Sequence, residues 1–167
     1  MLRNFFVIGL PRSRTAWLAN FLTYRNRFCY HEAMNGCRSM DEYKTKLGSD
    51  KGDSSTGLML IDDFQSNFPD AKTIIIESEP QKSIKYAYKT YGVFDPALIY
   101  NMKSKMDLMK GWRIHIDEID DKLPEIWAYL IGDGYDSERA ELLKKFNIQI
   151  QNPYSMDIDA AMELFHA

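Results

Sequence analysis

Four consecutive apolar residues, Phe5-Phe6-Val7-Ile8, run into Gly9-Leu10-Pro11-Arg12-Ser13-Arg14-Thr15 and then into Ala16-Trp17-Leu18. An unbroken apolar run of strand length suits a strand covered on both faces, as in a parallel sheet between two layers of helices. Residues from Gly9 onward read as a tight basic turn and the first turns of a helix. Such a turn gathers backbone N–H groups at the positive end of a helix macrodipole, where an anion meets donors and field together. Arg12 and Arg14 add cationic forks, and Ser13 and Thr15 add hydroxyls. The plainer alternative is a strand-to-helix connection with exposed arginines. Proline, two arginines and two hydroxyls crowded into one turn favour the anion cradle.

The turn is not a Walker loop. Counting from Gly9, the places of the second glycine, the lysine and the magnesium-binding hydroxyl hold Arg14, Thr15 and Ala16. The segment resembles instead the phosphosulfate-binding loop of sulfotransferases, Gly-x-Pro-(Arg/Lys)-Ser-Gly-Thr-(Thr/Ser)-x-Leu, matched here by Gly9, Pro11, Arg12, Ser13, Thr15 and Leu18. Arg14 stands where that family usually has glycine. A side chain there demands either a backbone without a glycine-only dihedral or a changed approach of the ligand.

The chain is 167 residues long and 45% hydrophobic, enough for one core of ordinary size and a single domain over residues 1–167. A net charge of −3 gives no general attraction to nucleic acid or anionic lipid, so any anion must be held by a local site. The N-terminal apolar run is too short for a membrane span or a signal peptide, and a cytoplasmic location is expected. Cys29 and Cys37 give neither a disulfide framework nor a zinc pattern.

Alternating strand and helix patterns predict an α/β protein of three layers, a P-loop-like fold with a mostly parallel sheet of about five strands flanked by helices. Strands are expected at Phe5–Ile8, Arg27–Tyr30, Leu58–Ile61, Thr73–Ile76 and Arg113–Ile116. Helices are expected from about Arg14 to Tyr24, from a capping box of Ser39 and Glu42 to Gly48, from Pro80, over Pro96–Lys110, Pro124–Ile131 and Ser137–Phe146, and after Ser155. The stretch Ser49–Thr56, rich in Ser, Asp, Lys and Gly, reads as a flexible loop.

In an open parallel sheet, ligands bind at the carboxyl ends of the strands. That rule makes His31 and Glu32, Asp62 and Asp63, Glu77 to Glu79, and Asp117 with Glu118 the candidate site residues. Glu32 lies where some bacterial sulfotransferases carry a general base, and the resemblance implies that role for it, with His31 as competitor and Arg12 stabilising developing charge. The plainer alternative pairs Glu32 with Arg12 or Arg14 and leaves His31 on the surface. The same resemblance implies 3′-phosphoadenosine 5′-phosphosulfate as cosubstrate, an acceptor hydroxyl or amine, and no metal. Gly9, Pro11, Arg12, Ser13, Arg14, Thr15 and Ala16 would form the cradle. Ile74 to Ser83 is similar to the family's second nucleotide-binding run, but Ser78 takes the place of the arginine that grips the 3′-phosphate and Tyr86 that of its partner serine. Ser78, Lys82 and Ser83 remain candidates there, with Lys85 and Lys89 on the same helix. Trp112 to Leu130 resembles a later strand-turn-helix of the family, and Arg139, Lys144 and Lys145 supply further charge.

Two rivals stand beside this reading. Leu58-Met59-Leu60-Ile61-Asp62 fits a Walker B strand ending in a magnesium-binding aspartate, as in a kinase-like enzyme, although Asp62 or Asp63 also suits the cap of a short helix through Phe68. The other is a phosphate- or nucleotide-binding protein that kept the cradle without transfer chemistry.

Overall fold

The structure, a computed structural model, describes residues 3–25 and 27–146, so the helix expected after Ser155 lies outside the described residues. Five strands form one parallel sheet in the order β2-β3-β1-β4-β5: β1 Phe5–Gly9, β2 Cys29–His31, β3 Gly52–Ser55, β4 Lys72–Glu77 and β5 Trp112–His115. The helices are α1 Thr15–Leu22, α2 Met40–Leu47, α3 Pro80–Tyr91, α4 Pro96–Leu108, α5 Leu123–Leu130 and α6 Ser137–Phe146.

Strand alternation divides the core in two. Phe5 and Val7 of β1, with Ile74 and Ile76 of β4, pack under α1, α5 and α6 around Trp17, Phe21, Trp127 and Leu143. Phe6, Ile8 and Ile75 face the other way, against Tyr43 and Leu47 of α2 and Ile99, Met102 and Met106 of α4. Apolar residues along all of β1 therefore reflect burial on both faces, and the three-layer α/β architecture follows. Pro80 and Pro96 sit in the first turns of their helices. Ser39 caps α2 by accepting the Glu42 N–H, while the Glu42 carboxylate reaches back to the Arg38 N–H at 2.7 Å.

The sheet differs from the sequence expectation at one strand. Leu58–Ile61 is not a strand: Leu58–Leu60 is a 3₁₀ turn whose Leu58 and Met59 plug the α2–α4 core. The third strand is Gly52-Asp53-Ser54-Ser55, inside the stretch expected to be a loose loop, and all four residues are buried. Polar side chains enter a sheet interior only with hydrogen-bond partners, and each of these has one. Asp53 takes the Ala33 N–H and the Tyr43 hydroxyl, Ser54 donates to the Thr15 carbonyl at 2.7 Å, and Ser55 donates to Glu32. Gly52 is needed because a Cβ there would lie 2.1 Å from the buried Phe5 ring.

The order of strands places β1 at the centre. The chain leaves β1 through α1 toward β2 on one side, then returns past β1 to β4 on the other. Its carboxyl end is the crevice where connections part in opposite directions, the position favoured for ligands in open α/β sheets.

Candidate functional site

The loop at that crevice is shaped by its own sequence. Leu10 to Ser13 is closed by the Ser13 N–H to the Leu10 carbonyl at 3.0 Å, with Pro11 second and Arg12 third at φ 73°. Proline followed by a residue of positive φ is the signature of a type II turn. The turn folds back over its strand so closely that a Cβ on Gly9 would lie 2.8 Å from Ser13 Cβ. Arg14, the N-cap of α1, has φ 63° and ψ 20°, the left-handed region glycine enters freely. The arginine thus keeps a glycine-type dihedral instead of avoiding it.

Two serines brace the loop from the β4–α3 side. Ser13 is fully buried and its Oγ lies 3.0 Å from Ser78 Oγ, while the buried Ser83 hydroxyl donates to the Pro11 carbonyl at 2.5 Å. Ser78 and Ser83 are therefore brought to the cradle, as its supports. Lys82 is on the exposed side of α3, 4.0 Å from Glu79, and Tyr86 lies under the Arg12 guanidinium at 4.5 Å.

The first intrahelical bond of α1 runs from the Leu18 N–H to the Arg14 carbonyl at 2.9 Å, and the Arg14 side chain does not cap the helix. The amides of the first turn, around Thr15 and Ala16, have no intrahelical acceptor. The two arginines differ. Arg14 bonds Asp120 at 2.8 Å and lies over the Trp17 ring, so its charge is matched. Arg12 is exposed and has no carboxylate partner among the described residues.

Across the crevice stands the end of β2. His31, its last residue, turns its ring toward α1, with Nε2 3.4 Å from Thr15 Oγ1 and 3.8 Å from Glu32 Oε1. Burial holds the imidazole below its ordinary pKa of 6.5, opposed by the neighbouring Glu32 charge. Glu32 has φ 59°, and its carboxylate accepts from the Thr56 N–H, the Thr56 hydroxyl and the Ser55 hydroxyl, each at 2.7 Å. Its partners are thus the end of β3, not the arginines of the loop. Ser55 and Thr56 were invisible as site residues because their segment reads as a loop; their partner lies more than twenty positions away.

Other candidates lie elsewhere. Asp62 ends no strand: its side chain is exposed and pairs with Lys105 at 2.7 Å, which holds its carboxyl below the usual range. No Walker B aspartate is formed, and the kinase-like reading loses its magnesium ligand. Among the described residues no group of three or more His, Cys, Asp or Glu side chains is arranged to hold a metal ion. His115 caps the turn after β5, its Nδ1 accepting the Asp117 N–H. Arg139 is buried against the carboxyl end of α1, donating to the carbonyls of Asn20, Phe21 and Thr23, and Lys144 pairs with Glu141. A cavity of about 480 Å³ opens at the amino ends of the strands, between Phe6, Thr73 and Gly111. It is at the opposite edge of the sheet from the Gly9 loop. Among the described residues no helix is long and apolar enough to cross a membrane.

No protein-family model matches this sequence, and no curated protein matches it. Among solved structures the fold is similar to that of mouse sulfotransferase SULT7A1 complexed with PAP, with a TM-score of 0.62 and 16% sequence identity over 86% of this chain. The chain spans 64% of the length of that protein. At such low identity the likeness shows the fold.

Proposed function

We propose that this chain is a sulfotransferase-like enzyme that binds 3′-phosphoadenosine 5′-phosphosulfate at the Gly9–Ala16 loop and passes the sulfuryl group to an acceptor hydroxyl or amine. The observation that carries the reading is the uncapped first turn of α1, with the unmatched Arg12 beside it, at the carboxyl end of the central strand. The likeness in fold to a PAP-complexed sulfotransferase supports it.

The donor set suits a phosphosulfate. Main-chain N–H groups at a helix start and a guanidinium fork bind an oxyanion and stabilise charge that gathers on a departing phosphate. When bound, the nucleotide supplies the sulfuryl group; the chain supplies position, charge and a proton acceptor. Gly9 permits close approach, and Ser78 and Ser83 hold the loop in shape. Of the two candidate bases, His31 is the better placed. It is held neutral by burial, and its Nε2 faces the Thr15 hydroxyl at the helix start. Three donors already occupy Glu32, which serves to fix the turn that carries His31.

The second reading, a binder without transfer activity, is favoured by one observation: the Ser78 hydroxyl meets Ser13, so the place where a 3′-phosphate would need a cation offers none from that residue. The test has two arms. PAP at a hundredfold excess over its Kd should stabilise the protein by about 2.7 kcal/mol, or roughly 5–10 °C in Tm. Label from the sulfonated nucleotide should appear on an acceptor with the wild type and not with His31→Ala. Binding without label leaves the binder; neither binding nor label rejects both. If Glu32→Gln abolishes transfer while His31→Ala retains it, the two roles are reversed.

A further inference from the structure

Asp53 is the one fully buried carboxylate among the described residues, and nothing in the transfer chemistry uses it. Its side chain is fully buried on the α2 face of β3. Both oxygens accept the Ala33 N–H, at 3.1 and 3.2 Å, and Oδ2 also accepts the Tyr43 hydroxyl at 2.8 Å. The Ala33 carbonyl is held from the other side by Lys46 Nζ at 2.7 Å. Ala33, immediately after His31-Glu32, is therefore gripped by side chains of β3 and α2. The turn before it is strained, because Glu32 has φ 59°. A residue without glycine's freedom stays there only when its surroundings hold it.

The next two residues of β3 bond the same turn and the helix start beside it. The Ser54 carbonyl accepts the Glu32 N–H at 3.3 Å, its hydroxyl holds the Thr15 carbonyl, and the Ser55 hydroxyl holds Glu32. The strand thus sets the distance between the turn and the loop, with Asp53 as its anchor on the core side.

We propose that Asp53 is a positioning residue: gripping the Ala33 amide from within the core, it fixes where His31 and Glu32 stand against the anion loop and transmits its own protonation to that turn. The inference rests on the reading of His31–Glu32 as part of the site, yet its test needs no transfer. Burial pushes the Asp53 carboxyl up to about 7, opposed by the Ala33 N–H, the Tyr43 hydroxyl and Lys46, while Glu32 raises it further. Tyr43 and Lys46 face it from α2, Cys29 from β2 and Glu32 from the turn itself; Cys37 lies beside Tyr43. Ionisation turns a neutral acceptor into a charge-assisted one on the amide that follows the site.

The experiment follows the amides of Glu32 and Ala33 and the ring of His31 by NMR from pH 5 to 9, in the full chain. In the wild type the Ala33 amide should titrate with a midpoint near 7, distinct from that of the His31 ring. Asp53→Asn, whose side-chain oxygen still accepts from Ala33, should abolish that titration and displace the His31 midpoint. Tyr43→Phe removes a donor to the carboxylate and should move the Ala33 midpoint upward; it decides the matter if the asparagine variant does not fold. An Ala33 amide that is flat with pH, or follows only His31 and ignores Tyr43→Phe, overturns the proposal. So does a His31 ring unchanged by Asp53→Asn. Failure of PAP to bind would reject the proposed function and leave these titrations standing.

Discussion

Arg14 offers a test in which the sign of the result decides. Its side chain makes two contacts: the 2.8 Å bond to Asp120, with side chains 27% and 51% exposed, and the guanidinium 4.4 Å over Trp17. Partly exposed ion pairs contribute about 0.2–1 kcal/mol and exposed cation–π contacts about 0.5–1 kcal/mol. Truncation to alanine or to glycine loses both equally, so the difference between the two variants isolates the backbone. At φ 63° any residue with a Cβ is strained by about 1–2 kcal/mol, which glycine escapes. The freer unfolded chain of glycine takes back about 0.4–1 kcal/mol. Arg14→Gly should therefore be more stable than Arg14→Ala by about 1 kcal/mol, or roughly 2–4 °C in Tm. Within a helix the order is reversed by a similar amount. Urea unfolding at pH 7, with the two variants sharing one m value, measures the difference. An alanine variant equal to or above the glycine variant would refute the left-handed cap and the loop geometry built on it. In the same pair, PAP affinity should be equal, because the guanidinium, held by Asp120 in the wild type, is absent from both.

Arg12→Ala should leave stability within about 1 kcal/mol, since only its contact with Tyr86 is lost, and remove most of the Tm rise caused by PAP; an undiminished rise takes Arg12 out of the cradle. Gly9→Ala pushes a Cβ to 2.8 Å from Ser13 Cβ, so the loop must open, with a stability loss of about 1–3 kcal/mol and a loss of PAP binding measurable by calorimetry. Asp53 makes stability fall with pH. Its pKa is raised from 3.8 to about 7, so between those values the folded chain holds a proton the unfolded chain has released. The stabilisation is complete below pH 4 and lost by pH 7, a span of about 4 kcal/mol. The stability of Asp53→Asn relative to wild type should thus rise across that window in urea titrations, and a flat difference curve would contradict the burial argument.

What the sequence made legible is what local chemistry controls. The β1 run declares its two-sided burial, Pro80 and Pro96 mark helix starts, and Ser39 with Glu42 marks another. The loop pattern from Gly9 to Leu18 marks the tight turn between β1 and α1 because its parts are contiguous. Strand β3 was illegible for the opposite reason. Gly, Asp and two serines have turn chemistry at short range, and they become a buried strand only because Ala33, Tyr43, Thr15 and Glu32 supply partners 10 to 39 positions away. The apolar Leu58–Ile61, which has the composition of a strand, is displaced into a 3₁₀ turn because the sheet position beside β1 is already filled. The same blindness hid Ser55 and Thr56, and suggested arginine partners for Glu32 that the folded chain does not give it.

The polar β3 also sets the spacing between the Gly9 loop and the His31–Glu32 turn. The anion loop and the His31–Glu32 turn belong to successive strands in sequence, β1 and β2, yet β3 lies between them in the sheet. Besides the contact of His31 with Thr15, the polar side chains of β3 couple the two across that gap. An apolar strand would pack as well against Phe6 and Tyr43, but it would leave the Ala33 amide without an acceptor and Glu32 without its hydroxyl donors. A buried polar group left unmatched costs about 1–3 kcal/mol. Placing Asp, Ser and Ser where hydrophobic residues would stabilise more simply thus exchanges ease of folding for a fixed spacing between loop and turn. This is the expected arrangement where a reacting group must be held between a donor cradle and a base. Ser54→Val tests the exchange: it suits a buried strand, removes the hydroxyl from the Thr15 carbonyl, and should lower transfer more than stability. A variant that loses stability in step with transfer would show that Ser54 serves the fold alone.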